Sequence, residues 1–559
     1  MKKLLPCFCA ALSAGSLFAE SVWFATLEVD SLQALQVGIE SFSKATNLPI
    51  PPDTLQNLTT EALKDILPGA ALDTAVSPRD PIRIFVIEDT EQPLSQGGTP
   101  GLLATLTLAG DGKAFQDQLG KIYSARRDDG KVLTYNTPSD EFDLPDNLLL
   151  SVERGKATLA TSKEAFAWFK KQEKLDAFLP LSGIQTLRAC VNVKRVALPP
   201  MPTGQPNPVA ALMGDVDYLS FAVTPNAQAL TLTYGLRLKP GSPLATLMDS
   251  YKVPDAALWN GLPENAFFAY AGPATQSEAT RKFTAAFLQQ EVKVDPIVAK
   301  LDNALTGDLI RYLALTQDKK GLRLIDIDPL KDAATVKEMI KTLDQVEMSP
   351  GIKLKKEEGR ELGGLTIERY SMVFDINAML KAQGVPAGAD PNVGMAGTVL
   401  SMLARNIQFE FTVKDNYLLS AVGLAGATDN WIPAIPFAAP TVTFDKKIAA
   451  LDPTVKPLLA AYELRLMPLF KQIVSMLPNV KPEHVNLFAA QTAPIQVWGS
   501  RMPDKTFVAT VRVPANEIAA IVKLTQQDMS VFQELFFTIF AGQMQQMMVP
   551  PAAVPPPNF

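Results

Sequence analysis

The chain has 559 residues, 47% of them hydrophobic, so it is long enough to bury one or more large cores and is not a disordered tail. With 58 acidic against 52 basic residues the net charge is −6, and the basic groups that cluster (Arg126 with Arg127, and Lys353 with Lys355 and Lys356) stand beside acids, so no nucleic-acid partner is expected. One histidine and three cysteines remove most metal-centred and histidine-based chemistry, and neither a cofactor nor a metal site is expected.

The first twenty residues, MKKLLPCFCAALSAGSLFAE, carry two lysines, an apolar stretch from Leu4 to Phe18 and the small residue Ala19 at a cleavage position. That is the pattern of a secretory signal peptide over 1–19. The expectation is an exported protein of the periplasm or cell envelope, with no transmembrane segment in the mature chain. Loss of Cys7 and Cys9 with this peptide leaves Cys190, so no intramolecular disulfide is available. Cys190 lies in the apolar run TLRACVNVKRVAL and reads as a small buried hydrophobe.

From Val22, and again from about Ala266, the same succession of patterns recurs, as in a duplicated unit. SVWFATLEVDSLQALQVGIESF stands against NAFFAYAGPATQSEATRKFTAAFL, each an apolar strand leading through a helix-start signal into an amphipathic helix. A short helix follows in both, TTEALKDIL and DPIVAKLDNAL. Next, Asp80-Pro-Ile-Arg-Ile-Phe-Val-Ile matches Asp308-Leu-Ile-Arg-Tyr-Leu-Ala-Leu, both strands. GLLATLTLAGDGKAFQDQLGKIY pairs with GLRLIDIDPLKDAATVKEMIKTL: a strand, a turn, and a helix whose apolar face is Phe115, Leu119 and Ile122 in one case and Val336, Met339, Ile340 and Leu343 in the other.

LLLSVERGKATLATSKEAFAWF then parallels FEFTVKDNYLLSAVGLAGATDNWI, which brings Trp168 and Trp431 to similar places. ALTLTYGLRLKPGSPLATLMDSY parallels DKTFVATVRVPANEIAAIVKLTQ. Turns as short as the one in SVERGKATLA join neighbouring strands without a crossover, so the sheets are expected to be mainly antiparallel. The fold class is α+β: two tandem similar units with helices packed on one face. The units are placed at 20–258 and 259–530, with a boundary near Pro254 to Glu264, and a Met-rich helix end with a Pro-rich tail occupies 531–559.

SVERGKATLATSKEAFAWF, with LTLAGDGKAFQDQL, resembles the repeated strand-helix pattern of large exported bacterial proteins of unknown function. The resemblance implies an envelope location and a duplicated α+β build. It brings no catalytic residues with it.

The search for reactive groups is mostly negative. The Gly-Lys pairs at 112–113, 130–131 and 155–156 read as turns and not as a phosphate loop. Ser41-Phe-Ser-Lys44 has Ser-x-x-Lys spacing but no partner motif. His484, after a Pro-Glu turn and before an expected strand, reads as structural. The acids Asp140, Glu141, Asp143 and Asp146, and Asp326, Asp328 and Asp332, lack the central glycine of a calcium loop. No catalytic residue is assigned.

Trp168 and Trp431 remain as candidates to line a groove for an apolar ligand, although each equally suits the core of its unit. The function expected is non-enzymatic binding or scaffolding in the cell envelope. The alternative is a periplasmic carrier of a hydrophobic ligand or lipid, and the third reading is a hydrolase using carboxylates only. The partners expected are an envelope protein or an apolar small molecule.

Overall fold

A computed structural model describes residues 22–49, 75–88, 101–128, 132–136, 147–172, 186–195, 213–254, 266–273, 310–318, 321–345, 347–349, 351–375, 407–424, 458–475, 481–502 and 506–527, and a few isolated positions such as Trp259. The N-terminal peptide, most of the helix expected at 295–305, Trp431, the acids at 140–146 and the Pro-rich tail lie outside the described residues.

Among the described residues the chain forms an α+β fold, a 21-stranded sheet in which every ladder is antiparallel, with eight α-helices. The first ten strands are β1 (Val22–Val29), β2 (Ile82–Glu88), β3 (Gly101–Thr107), β4 (Ser124–Asp128), β5 (Leu133–Asn136), β6 (Asn147–Glu153), β7 (Lys156–Ala160), β8 (Leu187–Asn192), β9 (Val216–Pro225) and β10 (Ala229–Leu238). In space they run β4-β5-β6-β7-β3-β2-β1-β8-β9-β10.

The remaining strands are β11 (Phe268–Pro273), β12 (Ile310–Asp318), β13 (Gly321–Pro329), β14 (Glu347–Ser349), β15 (Ile352–Leu362), β16 (Leu365–Phe374), β17 (Ile407–Lys414), β18 (Tyr417–Leu424), β19 (Leu458–Leu464), β20 (Ile495–Arg501) and β21 (Thr506–Pro514). They run β14-β15-β16-β17-β18-β13-β12-β11-β19-β20-β21. The last strands of the two series, β10 and β21, pair with each other and join the sheet, with Thr233 opposite Thr510.

Helices begin where polar residues satisfy free backbone N–H groups. Ser31 accepts from Ala34 N at 3.1 Å to open α1 (Leu32–Thr46), and Ser162 accepts from Ala165 N at 3.0 Å to open α3 (Lys163–Lys171). Between them lies α2 (Lys113–Ile122), and α4 (Pro243–Ser250) starts at Ser242 in the same manner. Asp332 caps α5 (Ala333–Ile340) through Thr335 N at 3.0 Å, which places this acid in a helix start and not in a metal loop.

Near the C-terminus, α6 (Leu466–Ser475), α7 (Pro482–Asn486) and α8 (Ala515–Gln527) pack together around Met467, Phe488 and Leu524. The strand expected after His484 is instead the end of the short helix α7, which starts on Pro482.

The helices do not all lie on one face. In the first ten strands, Leu32 and Leu35 of α1 and Phe115 and Leu119 of α2 pack on Ile82, Ala104 and Leu106. Ala165, Phe166 and Trp168 of α3 pack with Phe85, Leu103 and Leu149, which point the other way along the same strands. Because side chains alternate along a strand, runs such as IRIFVIE that are apolar at nearly every position must be covered on both faces.

Candidate functional site

One row of residues crosses the α3 face of the first series. Ser151 on β6 stands opposite Thr158 on β7, Thr158 opposite Thr105 on β3, and Thr105 opposite Arg83 on β2. Arg83 stands opposite Glu28 on β1, and Glu28 opposite Arg188 on β8. Six neighbouring strands thus set six polar side chains level with one another, on a sheet whose other face is apolar core.

Glu28 is the centre of the row and is 1% exposed. It forms ion pairs with Arg83 and Arg188, and Arg188 Nε donates to Oε1 at 2.8 Å. Burial pushes the Glu28 carboxyl up, but side-chain hydrogen bonds with Asp30 and Arg188 and the charges of Arg188 and Arg83 outweigh it. They hold it below the ordinary value of 4.5. A buried charge of this kind persists only because it is paired on both sides.

Beyond Arg83 the row opens into a cavity of about 680 Å³ between β2, β3, β7, β6 and α3, within the range of small-molecule sites. Its floor carries the hydroxyls of Thr105, Thr107, Ser151 and Thr158, and its wall the rings of Phe166 and Phe169. Arg154, Lys156 and Lys170 stand on the rim with one acid, Glu153. All four rim residues are exposed. Lys170 Nζ sits 4.7 Å from the centre of the Phe166 ring, a cation–π contact. The turn from β6 to β7 is Arg154-Gly155, with Arg154 at φ 51°, a left-handed conformation that residues with a Cβ rarely take.

A second cavity, about 280 Å³, lies between α5, β16 and β17. Its charges are balanced: Lys337 and Lys341 face Glu338 and Glu368, with Lys341 bonded to Glu338 at 2.8 Å. Another buried carboxylate held by two arginines, Glu410, pairs with Arg360 at 2.8 Å and Arg369 at 3.1 Å and is not among the residues lining either cavity.

Trp168 is 6% exposed and packs on Phe85 with ring centres 5.7 Å apart; it belongs to the core under α3 and lines neither cavity. Trp431 lies outside the described residues, so the two candidates are not brought together. Cys190 is buried beside Ser220, whose hydroxyl donates to its sulfur at 3.6 Å; burial pushes the thiol up to about 12, so it stays protonated and unreactive. The Ser41 hydroxyl donates to Val37 O at 2.6 Å, a bond within its own helix. Among the described residues no group of His, Cys, Asp and Glu could hold a metal, and no helix is long and apolar enough to cross a membrane.

Sequence reasoning missed the polar row. Glu28, Arg83 and Arg188 are up to 160 residues apart, and each sits between apolar neighbours in its strand. A signal was present in LEV, IRI and LRA, since a charge inside a central strand needs a partner.

No protein-family model matches the chain, and no curated protein does. A solved structure, crystal form I of TP0453, aligns over 43% of this chain and 83% of its own, at 8% identity and a TM-score of 0.21.

Proposed function

We propose that this chain is an exported, non-enzymatic binding protein of the cell envelope, built as two similar tandem units, and that the first unit holds a small ligand in the cavity beside α3. Export is supported by the signal-peptide pattern of residues 1–19. The tandem reading is supported by the strand order. Read from the seam outward, both series follow the same succession: last strand, two strands before it, the first three strands of the series, then the hairpin.

The observation that carries the binding reading is the contrast between the polar row and its counterpart. Two residues before the β17–β18 turn, as Ser151 is before the β6–β7 turn, a level row runs Thr412, Leu419, Ile327, Tyr312, Ala271 and Ala461. It is fully buried and, Thr412 apart, mostly apolar. A sheet of this topology therefore closes well with apolar residues here, and hydroxyls with a buried ion pair are not required by the fold. Among the described residues Glu153 is the one acid lining the cavity, so a hydrolase working through paired carboxylates finds no support there. A floor of hydroxyls also suits a polar ligand better than a lipid tail.

Native mass spectrometry of the mature protein purified from its own envelope tests this reading. A bound small-molecule mass is expected, and it should vanish in the double variant Thr105→Ile/Thr158→Leu, which installs the residues of the other row. A clean apo mass, with a protein partner instead, would replace ligand binding by scaffolding.

A further inference from the structure

We infer that the ligand of this cavity is an acid-bearing carbohydrate, a sugar ring carrying a carboxylate or a phosphate. The inference rests on the reading of the cavity as the binding site, and it follows from three sides of the same space.

The rim is cationic in an acidic protein. Arg83 is spent on Glu28, but Arg154, Lys156 and Lys170 form no ion pair with any described residue, against Glu153 as the single acid among the described residues that line the space. The balanced charges of the smaller cavity show that this excess is local. Cations that converge on one opening favour an anion through field and hydrogen bonds together. The turn sharpens the point. Where the β17–β18 hairpin takes the left-handed position with Asp415, a residue suited to it, the β6–β7 hairpin places Arg154 there and so aims a long cationic side chain from a strained position.

The floor asks for oxygen. Thr105, Thr107, Ser151 and Thr158 lie on adjacent strands two residues or one ladder step apart, and each hydroxyl both donates and accepts. A fatty acid would satisfy the rim but leave these hydroxyls against methylene groups, which costs free energy for every polar group so covered. A ring bearing several hydroxyls pairs with them. The wall completes the match, because the half-buried ring of Phe169, next to the buried Phe166 and its Lys170 contact, offers an aromatic surface to the C–H face of a pyranose while the sugar's edge bonds to the floor.

The test is binding to the full mature protein, by calorimetry and thermal shift, of four probes at millimolar concentration: glucuronic acid, glucose 6-phosphate, glucose and decanoate. One or both acids are expected to bind about tenfold or more tightly than glucose, with affinity falling as salt rises, and the two acids decide between carboxylate and phosphate. The exposed double variant Lys156→Gln/Lys170→Gln should lose about tenfold for the acids and nothing for glucose. Decanoate binding more tightly than both sugars' acids, or no binding by either acid, overturns the ligand class. Acid binding that survives unchanged in Thr105→Ile/Thr158→Leu overturns the site instead, so the two failures are told apart.

Discussion

The two level rows, Ser151-Thr158-Thr105-Arg83-Glu28-Arg188 and Thr412-Leu419-Ile327-Tyr312-Ala271-Ala461, occupy the same place in the same succession of strands and differ in chemistry at nearly every step. In the second, Tyr312, 1% exposed, fills the space together with the buried Ile327 and Leu419. In the first, a buried ion pair and hydroxyls leave it open. Backbone topology thus tolerates either filling, and side-chain chemistry alone decides whether the face becomes core or cavity.

The largest effect is expected from breaking the charged centre of the first row. Glu28→Ala leaves Arg83 and Arg188 without their buried carboxylate and should destabilise the protein by about 3–5 kcal/mol in urea denaturation. Trp498→Ala should cost a comparable ~3–5 kcal/mol by opening a void in the core of the second series. Thr105→Ile/Thr158→Leu, by contrast, should change stability by no more than ~1 kcal/mol, since it makes the first row resemble a sequence that already packs. A large loss there, measured by the same denaturation, would mean that the hydroxyls serve the fold.

Acid titration separates two buried carboxyls. Glu28 is held below its ordinary 4.5, so the stability it contributes is fully present above that value and is lost as pH falls through its folded-state pKa. The loss on acidification should shrink in Glu28→Gln. Glu517 is the opposite case. It is fully buried, and its Oε1 accepts from Met467 N at the start of α6 at 3.2 Å. Burial raises it despite hydrogen bonds from Thr492 and from the backbone of Met467 and Leu466. A raised group favours the fold below its unfolded value and loses that contribution as pH rises through the folded one. Glu517→Gln should therefore stabilise the protein slightly at neutral pH and have no such effect below about pH 4, as thermal melts across pH would show.

Much of the architecture was legible in local pattern. Ser31, Ser162 and Asp332 announce their helices, and Arg154-Gly155 announces a hairpin, because caps and turns depend on residues close in sequence. Register was not legible. The Ile-Arg pairs at 82–83 and 310–311 align as sequence, yet counted from the two hairpin turns Arg83 stands level with Tyr312. A slip of one residue exchanges the faces of a strand, and runs that are apolar on both faces give no sign of it. The site was hidden for the same reason: it exists only where β8, β1, β2, β3, β7 and β6 meet in register, and no single strand contains more than three of its members.

The seam between β10 and β21 has a consequence of its own. These strands hold corresponding places at the end of the two series and run antiparallel, with Thr233 and Thr510 facing across the ladder, their hydroxyl oxygens 3.4 Å apart. An antiparallel pair of like strands is the contact that two identical chains form about a two-fold axis. On the tandem reading proposed above, a half-length ancestor with a free β10 edge would have closed that edge on a second copy of itself. Fusion into one chain would then have freed the partner from needing an identical sequence, so that one half could fill its face while the other kept it open.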